Sequence, residues 1–273
     1  MSDYVLRQFI RLRIAFQTMK ENLKITVILT FLYMGMATMY AGMYPAFKDV
    51  MAEIAPGFME SMSFIPGIED MASYVGFLNA EMYQMFWMLI LGIIIGFIAA
   101  SLISKEVEGK TIDIIMSNPV SRKQIVMEKY LGLIPMFLLI NFATMLTIMG
   151  VTLAINEELN FSYLLITHIA SIPYFLSIIA IGLLISVIID EKMKASIFLI
   201  AILIGMFVFR SISLMIPDYE NLGLISISNY FNPYDILKSG KVDMIGIIVL
   251  IVVITFSLIA AMIYFEHRDI AIS

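Results

Sequence analysis

The 273-residue chain contains no cysteine, which excludes disulfides, thiolate metal sites and thiol nucleophiles together. Charge is also scarce: Asp, Glu, Lys and Arg make up 14% of the residues, against about 25% in an ordinary soluble domain, so a soluble reading is excluded first. No 20-to-50-residue repeat and no low-complexity tract divides the chain. No basic leader with a small-residue cleavage site precedes the first apolar run, so that run is expected to stay. The apolar runs hold no two-histidine metal motif, no paired carboxylates and no serine with a base at helical spacing, which argues against a membrane-embedded enzyme.

What the chain has in excess is apolar surface, with 61% hydrophobic residues and a mean hydropathy of +0.94. A helix needs about 20 mostly apolar residues to cross the hydrocarbon core. Six such runs occur, over residues 25–44, 82–103, 131–155, 163–189, 195–216 and 244–265. The expected fold is therefore all-α: a polytopic membrane protein with six transmembrane helices in one domain spanning 1–273.

The basic residues orient it. Arg7, Arg11, Arg13, Lys20 and Lys24 precede the first run; Lys105, Lys110, Arg122, Lys123 and Lys129 lie between the second and third; Lys192 and Lys194 follow the fourth and Arg268 the sixth. Only Lys48, Lys238 and Lys241 lie on the other side. This bias predicts a multi-pass protein of the cell membrane with both termini cytoplasmic. The total formal charge of −5 says less than this distribution.

Before the first run, Val5, Phe9, Leu12, Phe16, Met19 and Leu23 recur at spacings of three and four, one stripe of an α-helix flanked by basic residues. That pattern predicts a cytoplasmic interfacial helix over 1–24, the alternative being a plain extension of the first span. The bundle then covers 25–265 and a cytoplasmic tail 266–273. On the outer side, 45–80 carries Phe47, Val50, Met51, Ile54 and Phe58 at helical spacing, broken by Pro56-Gly57 and Pro66-Gly67, and predicts short helices at the outer leaflet. Its acidic residues read as a solvated face, with a cation-collecting vestibule as the functional alternative. In the second outer stretch, Asn229-Tyr230-Phe231-Asn232-Pro233-Tyr234 reads as interfacial aromatic anchoring or an outer gate.

The loop between the second and third runs carries the most information. Gly109 can interrupt the preceding helix, Thr111 can cap a short new one presenting Ile112, Ile115 and Met116 on one side, and Pro119 stops it. Ser121 with Gln124 fits a capping box leading into the third span. A short helix with a bare apolar side, held across the cytoplasmic mouth, calls for a partner protein.

The stretch from Glu106 to Lys129 resembles the signature loop of the type-two ATP-binding-cassette permeases, at Glu106, Glu108, Gly109, Thr111, Ile114-Ile115, Pro119, Ser121-Arg122 and Lys129. The tail Phe265-Glu266-His267-Arg268-Asp269-Ile270 is similar to that family's ending, while Lys110 departs from its usual Gly-Thr step. The resemblance implies that the loop is a coupling helix docking on a separate nucleotide-binding ATPase subunit through Glu106, Glu108, Gly109, Thr111, Ile112, Ile115, Met116, Pro119, Ser121 and Arg122. It further implies a second, identical or different permease subunit, a surround of membrane lipid, and outward transport. ATP and Mg belong on the ATPase subunit, with no cofactor, metal or catalytic residue on this chain and no nucleic-acid partner.

Other motifs divide between structural and functional readings. Gly109-Lys110-Thr111 ends like a phosphate-binding loop, but the earlier glycine such a loop requires is Ser104. Gly92, Gly96 and Ala100 form a small-residue stripe suited either to a subunit contact or to packing within one subunit. Met36, Met39 and Met43 read as apolar filling rather than soft metal ligands. Arg210 is expected to snorkel to the outer surface, His168 to be hydrogen-bonded between helices, and Glu81 to be wet. A secondary transporter or channel without an ATPase is the competing function; such proteins usually carry mid-membrane charge or paired broken helices, and neither is evident here.

Overall fold

The structure, a computed structural model, describes residues 12–112, 116–117 and 120–268, without the side chains of 49 and 51–61. Ile115 and Pro119, both assigned to the loop, lie outside the described residues. Among the described residues, six helices are long and apolar enough to cross a membrane. They are α1 (Arg13–Ser61), α2 (Tyr74–Glu108), α3 (Arg122–Ile155), α4 (Phe161–Ile188), α5 (Lys192–Met215) and, after a short outer helix α6 (Pro233–Ser239), α7 (Met244–His267).

Local chemistry sets most ends. Ser121 caps α3 by accepting from Gln124 N at 3.1 Å, which realises the first half of the capping box. Asn160 caps α4 by accepting from Ser162 N and Tyr163 N, Asn232 caps α6, and Asp243 caps α7 through Ile245 N. Gly240 closes α6 in the left-handed region at φ 70°, against the Tyr163 ring. Pro135 and Pro173 sit inside α3 and α4, where surrounding helices make the loss of a backbone donor tolerable.

Two expected boundaries are absent. Over 13–24 the chain is not a separate interfacial helix but the unbroken start of α1, because no glycine or proline interrupts it before Gly35. Gly132 of α3 makes room for that extension, since a Cβ there would lie 2.7 Å from Ala15 O and from Thr18 Cβ. Residues 1–11 of the expected interfacial helix lie outside the described residues. At the other end α1 continues through Pro45 and Pro56 to Ser61, so the helical spacing read there is one continuation rather than several short helices. Its 49 residues reach about 73 Å at 1.5 Å per residue, well beyond the roughly 30 Å hydrocarbon core.

The remaining outer linker is a 3₁₀ turn, Ile68–Asp70, leading into α2. Within α2 the stretch Asn79–Leu91 is π-helical. Tyrosine hydroxyls answer carbonyls there: Tyr33 donates to Phe86 O at 2.9 Å and Tyr174 to Met88 O at 3.2 Å. Gln84 Nε2 donates to Asn79 Oδ1 at 3.0 Å, a side-chain tie across the same five-residue step as the π ladder.

α4 is the most enclosed span and α5 the least. The small-residue stripe of α2 explains part of this arrangement. A Cβ on Gly92 or Gly96 would come within 3.0 Å of Ile178 Cδ1 or Leu199 Cδ2, and a Cβ on Gly182 within 2.8 Å of Ala99 Cβ. Gly92, Gly96 and the fully buried Ala100 thus seat α2 against α4 and α5 of the same chain.

Candidate functional site

The loop between α2 and α3 sits on the face that also carries the described chain ends. Glu128 near the start of α3 accepts from Ile14 N at 2.8 Å and Ala15 N at 3.2 Å, satisfying orphan amides where α1 begins. Arg122 donates to Phe265 O at 3.0 Å and to Arg268 O, and so holds the end of α7. Arg268 in turn reaches Val187 O and Asp190 after α4, and Lys123 pairs with Glu266 at 2.8 Å.

The acidic residues of the loop are equally committed. Glu106 pairs with Lys129 of α3 at 3.0 Å, with the lysine side chain only 2% exposed, and it accepts from the Thr111 hydroxyl. Lys105 pairs with Glu21 of α1 at 2.9 Å. Glu108 accepts from Lys192 N at 3.0 Å and caps the first turn of α5, where a carboxylate also suits the helix dipole. The loop is therefore tied through side chains to α1, α3, α5 and α7.

Its apolar residues correct one expectation. Ile112 is 2% exposed and Met116 packs against the same core, so at these two positions the apolar side faces the bundle instead of standing bare. The physical reason is local: the bundle offers both side chains an apolar surface before any partner arrives. Among the described residues of the loop, Glu108, Gly109, Lys110, Thr111, Ser117, Ser121 and Lys123 are exposed. Gly109 is 3.0 Å from Lys105 O at its virtual Cβ, and Lys110 takes a positive φ of 53°, the unusual backbone step at the inserted residue.

A second polar region lies inside the membrane span. His168 of α4 is fully buried, with Nδ1 2.7 Å from Asn141 Oδ1 and Nε2 3.0 Å from the Tyr83 hydroxyl. Asn141 Nδ2 donates to His168 O at 3.0 Å, so its Oδ1 is the acceptor; the imidazole then carries its proton on Nδ1 and accepts from Tyr83. This interhelical role for His168 agrees with the sequence reading.

Arg210 does not snorkel. It is 5% exposed, turned back into the bundle, and donates from a terminal nitrogen to Gln84 Oε1 at 2.9 Å. It lines a slot between α2, α4 and α5 with Tyr174, Gly92 and Ser228, closed by the segment after α5. Phe231 of that segment is 2% exposed and stacks on Tyr174 with centroids 5.7 Å apart, so it is anchored in the bundle rather than at the interface. The Gln84 partner was not legible in the residues, because a single polar residue in an apolar run does not report which way it faces.

On the opposite face Tyr234 and Lys238 of α6 both reach Asp70, at 3.0 and 3.1 Å. The Tyr234 hydroxyl and Asp70 hold the Lys238 ammonium above the usual lysine range. Burial is the first cause raising Tyr234. Lys48 pairs there with Glu157 at 3.6 Å.

No curated protein matches this chain by sequence. Residues 15–270 match the model of the ABC-2 family transporter proteins, and because that match covers nearly the full length, the chain belongs to the ABC-2 family and is a membrane permease of an ABC transporter.

Proposed function

We propose that this permease is the membrane half of an ATP-driven exporter, coupled to a separate nucleotide-binding ATPase subunit through residues 104–123. ATP and Mg are bound by that subunit; this chain contributes no catalytic residue and no cofactor. A second permease subunit completes the assembly within the lipid bilayer. The excess of basic residues on the loop face supports a cytoplasmic position for the loop and both termini in the cell membrane.

The observation that carries the reading is the wiring of the loop. Glu106, Glu108 and Arg122 bind α3, α5 and α7 directly, so a displacement imposed on the loop acts on three spans at once. That is what rocking of helix bundles between two access states requires. The exposed Glu108, Gly109, Thr111 and Ser121, together with Ile115 and Pro119, are the docking positions, whereas Ile112, Met116, Glu106 and Arg122 carry the motion inward.

The test is co-purification of the chain, in nanodiscs, with the ATPase encoded beside it, reading ATP turnover with and without the permease. A stoichiometric complex with altered turnover is expected, weakened by Ile115→Asp. A lone, ATP-indifferent chain would overturn the reading and put a transporter or channel without an ATPase first.

A further inference from the structure

Within α2 the stretch Asn79–Leu91 is π-helical over 13 residues, with its backbone ladder closing from residue i to i+5. A π-helix is ordinarily a single turn inside an α-helix, and it recurs at functional sites. The residues themselves do not dictate this ladder. The stretch holds no glycine or proline and consists mostly of Ala, Glu, Gln, Met and Leu, all strong α-helix formers. The ordinary i to i+4 ladder is therefore open to the same residues, and the neighbouring helices select between the two.

Three helices grip the π form. Tyr33 of α1 donates to Phe86 O at 2.9 Å, and Tyr174 of α4 donates to Met88 O at 3.2 Å. Gln84 bridges to Asn79 across the five-residue step, and Arg210 of α5 holds Gln84 from the other side at 2.9 Å. Against these ties stands Trp87, fully buried, whose indole N–H has no hydrogen-bond partner among the described residues. A buried donor left unpaired weighs against the arrangement that strands it. Opposed contributions of this kind are what a two-state element needs.

The stretch also lies between the loop and the outer face. Below it, Gly92–Ser101 and Ser104–Glu108 lead into the loop, where Ser186 Oγ of α4 accepts from Ile103 N and Ser104 N at 2.8 and 3.0 Å. Above it, Tyr74–Leu78 reaches the outer turn. A π turn takes in more residues than an α turn, so conversion lengthens α2 and rotates its outer end against its inner end. We propose that Asn79–Leu91 is a convertible joint: displacement of the loop at 104–123 switches it from the π to the α ladder, frees it from Tyr33, Tyr174 and Arg210, and turns the outer end of α2. The joint rests on the coupling reading given above and adds to it the element that changes conformation.

Trp87 is the single tryptophan of the chain and sits in mid-joint among the rings of Tyr33, Tyr83, His168 and Phe175. The full chain made with fluorotryptophan therefore reports the joint by fluorine NMR in nanodiscs, alone and with the unlabelled ATPase encoded beside it. Two resonances are expected, one dominant in the nucleotide-free complex and the other in the ATP-trapped one. In the chain alone, Tyr33→Phe and Tyr174→Phe each delete a hydroxyl that holds the π ladder and should shift the ratio roughly fivefold toward the second resonance, the measure of one hydrogen bond. If one of these variants fails to fold, the other is read in its place. Nitroxides on Met85→Cys and Phe97→Cys, both exposed positions in a chain without native cysteine, read the ladder itself by electron-electron distance. A second resonance accompanied by a changed distance supports the joint. A single resonance throughout, a second one at unchanged distance, or conversion in the tyrosine variants with none on ATP trapping in a complex that turns over ATP, overturns it. Failure of the complex to form would remove the coupling reading, whereas the tyrosine variants of the chain alone still decide whether the stretch converts.

Discussion

On the loop face three charges each have an answering group on another helix: Glu106 has Lys129, Glu108 the first amide of α5, Arg122 two carbonyls at the end of α7. In the slot between α2, α4 and α5, Arg210 has a neutral glutamine. The paired region is built to keep its geometry under load, since removing either member strands the other. The other holds a buried cation that no carboxylate among the described residues answers.

The contrast is sharpest when each region loses a cation. Lys129→Met takes from Glu106 its buried ion-pair partner, leaving the Thr111 hydroxyl and the nearby Lys105, and should cost about 3 kcal/mol of stability, seen in thermal unfolding in detergent. Adding Glu106→Gln to it should recover most of that loss. Arg210→Gln, by contrast, gives up one hydrogen bond but also a desolvated charge, so its unfolding should stay within about 1 kcal/mol of the parent or move above it. A large loss from Arg210→Gln would erase the distinction between the two regions.

Smaller changes probe the wiring. Arg122→Gln removes a charged donor from the end of α7 and should cost about 1–2 kcal/mol while lowering stimulation of the partner ATPase. Glu108→Ala uncaps α5 and should cost about 1 kcal/mol, read as faster hydrogen exchange at its first turn. The least effect concerns the outer Asp70–Lys238 tie. Because the lysine is raised in the folded state, its contribution is complete below the ordinary lysine value of about 10.4 and is lost only as pH rises through the higher folded value. Hydrogen exchange of the 68–78 segment, corrected for its intrinsic pH dependence, should therefore be insensitive to this tie between pH values of about 7 and 10.

Much of this was legible in the residues. The apolar runs gave six spans, and the fourth to sixth differ from α4, α5 and α7 by three residues or fewer at each end. The third begins earlier, at Arg122, because the Ser121 cap starts the helix before the apolar run does. Amphipathic spacing showed that Ile112 and Met116 share a side but could not say what covers it; the bundle does. The Gly92–Gly96–Ala100 stripe announced close approach without naming α4 and α5 as the helices that approach. Arg210 was placed by its distance from the end of α5, which fixes depth but not rotation, and rotation toward Gln84 is what buries it.

The absence of cysteine makes the decisive measurement clean, since any introduced thiol is the sole one on the chain. Ser117→Cys on the loop and Glu158→Cys on the opposite face, both exposed positions, would each be labelled with a benzophenone maleimide and irradiated with the partner ATPase and nucleotide. Coupling through residues 104–123 predicts a permease–ATPase adduct from Ser117→Cys, changing in yield between ATP and ADP, and none from Glu158→Cys. Equal yields from both positions, or no adduct from the loop in a complex that still co-purifies, would contradict it.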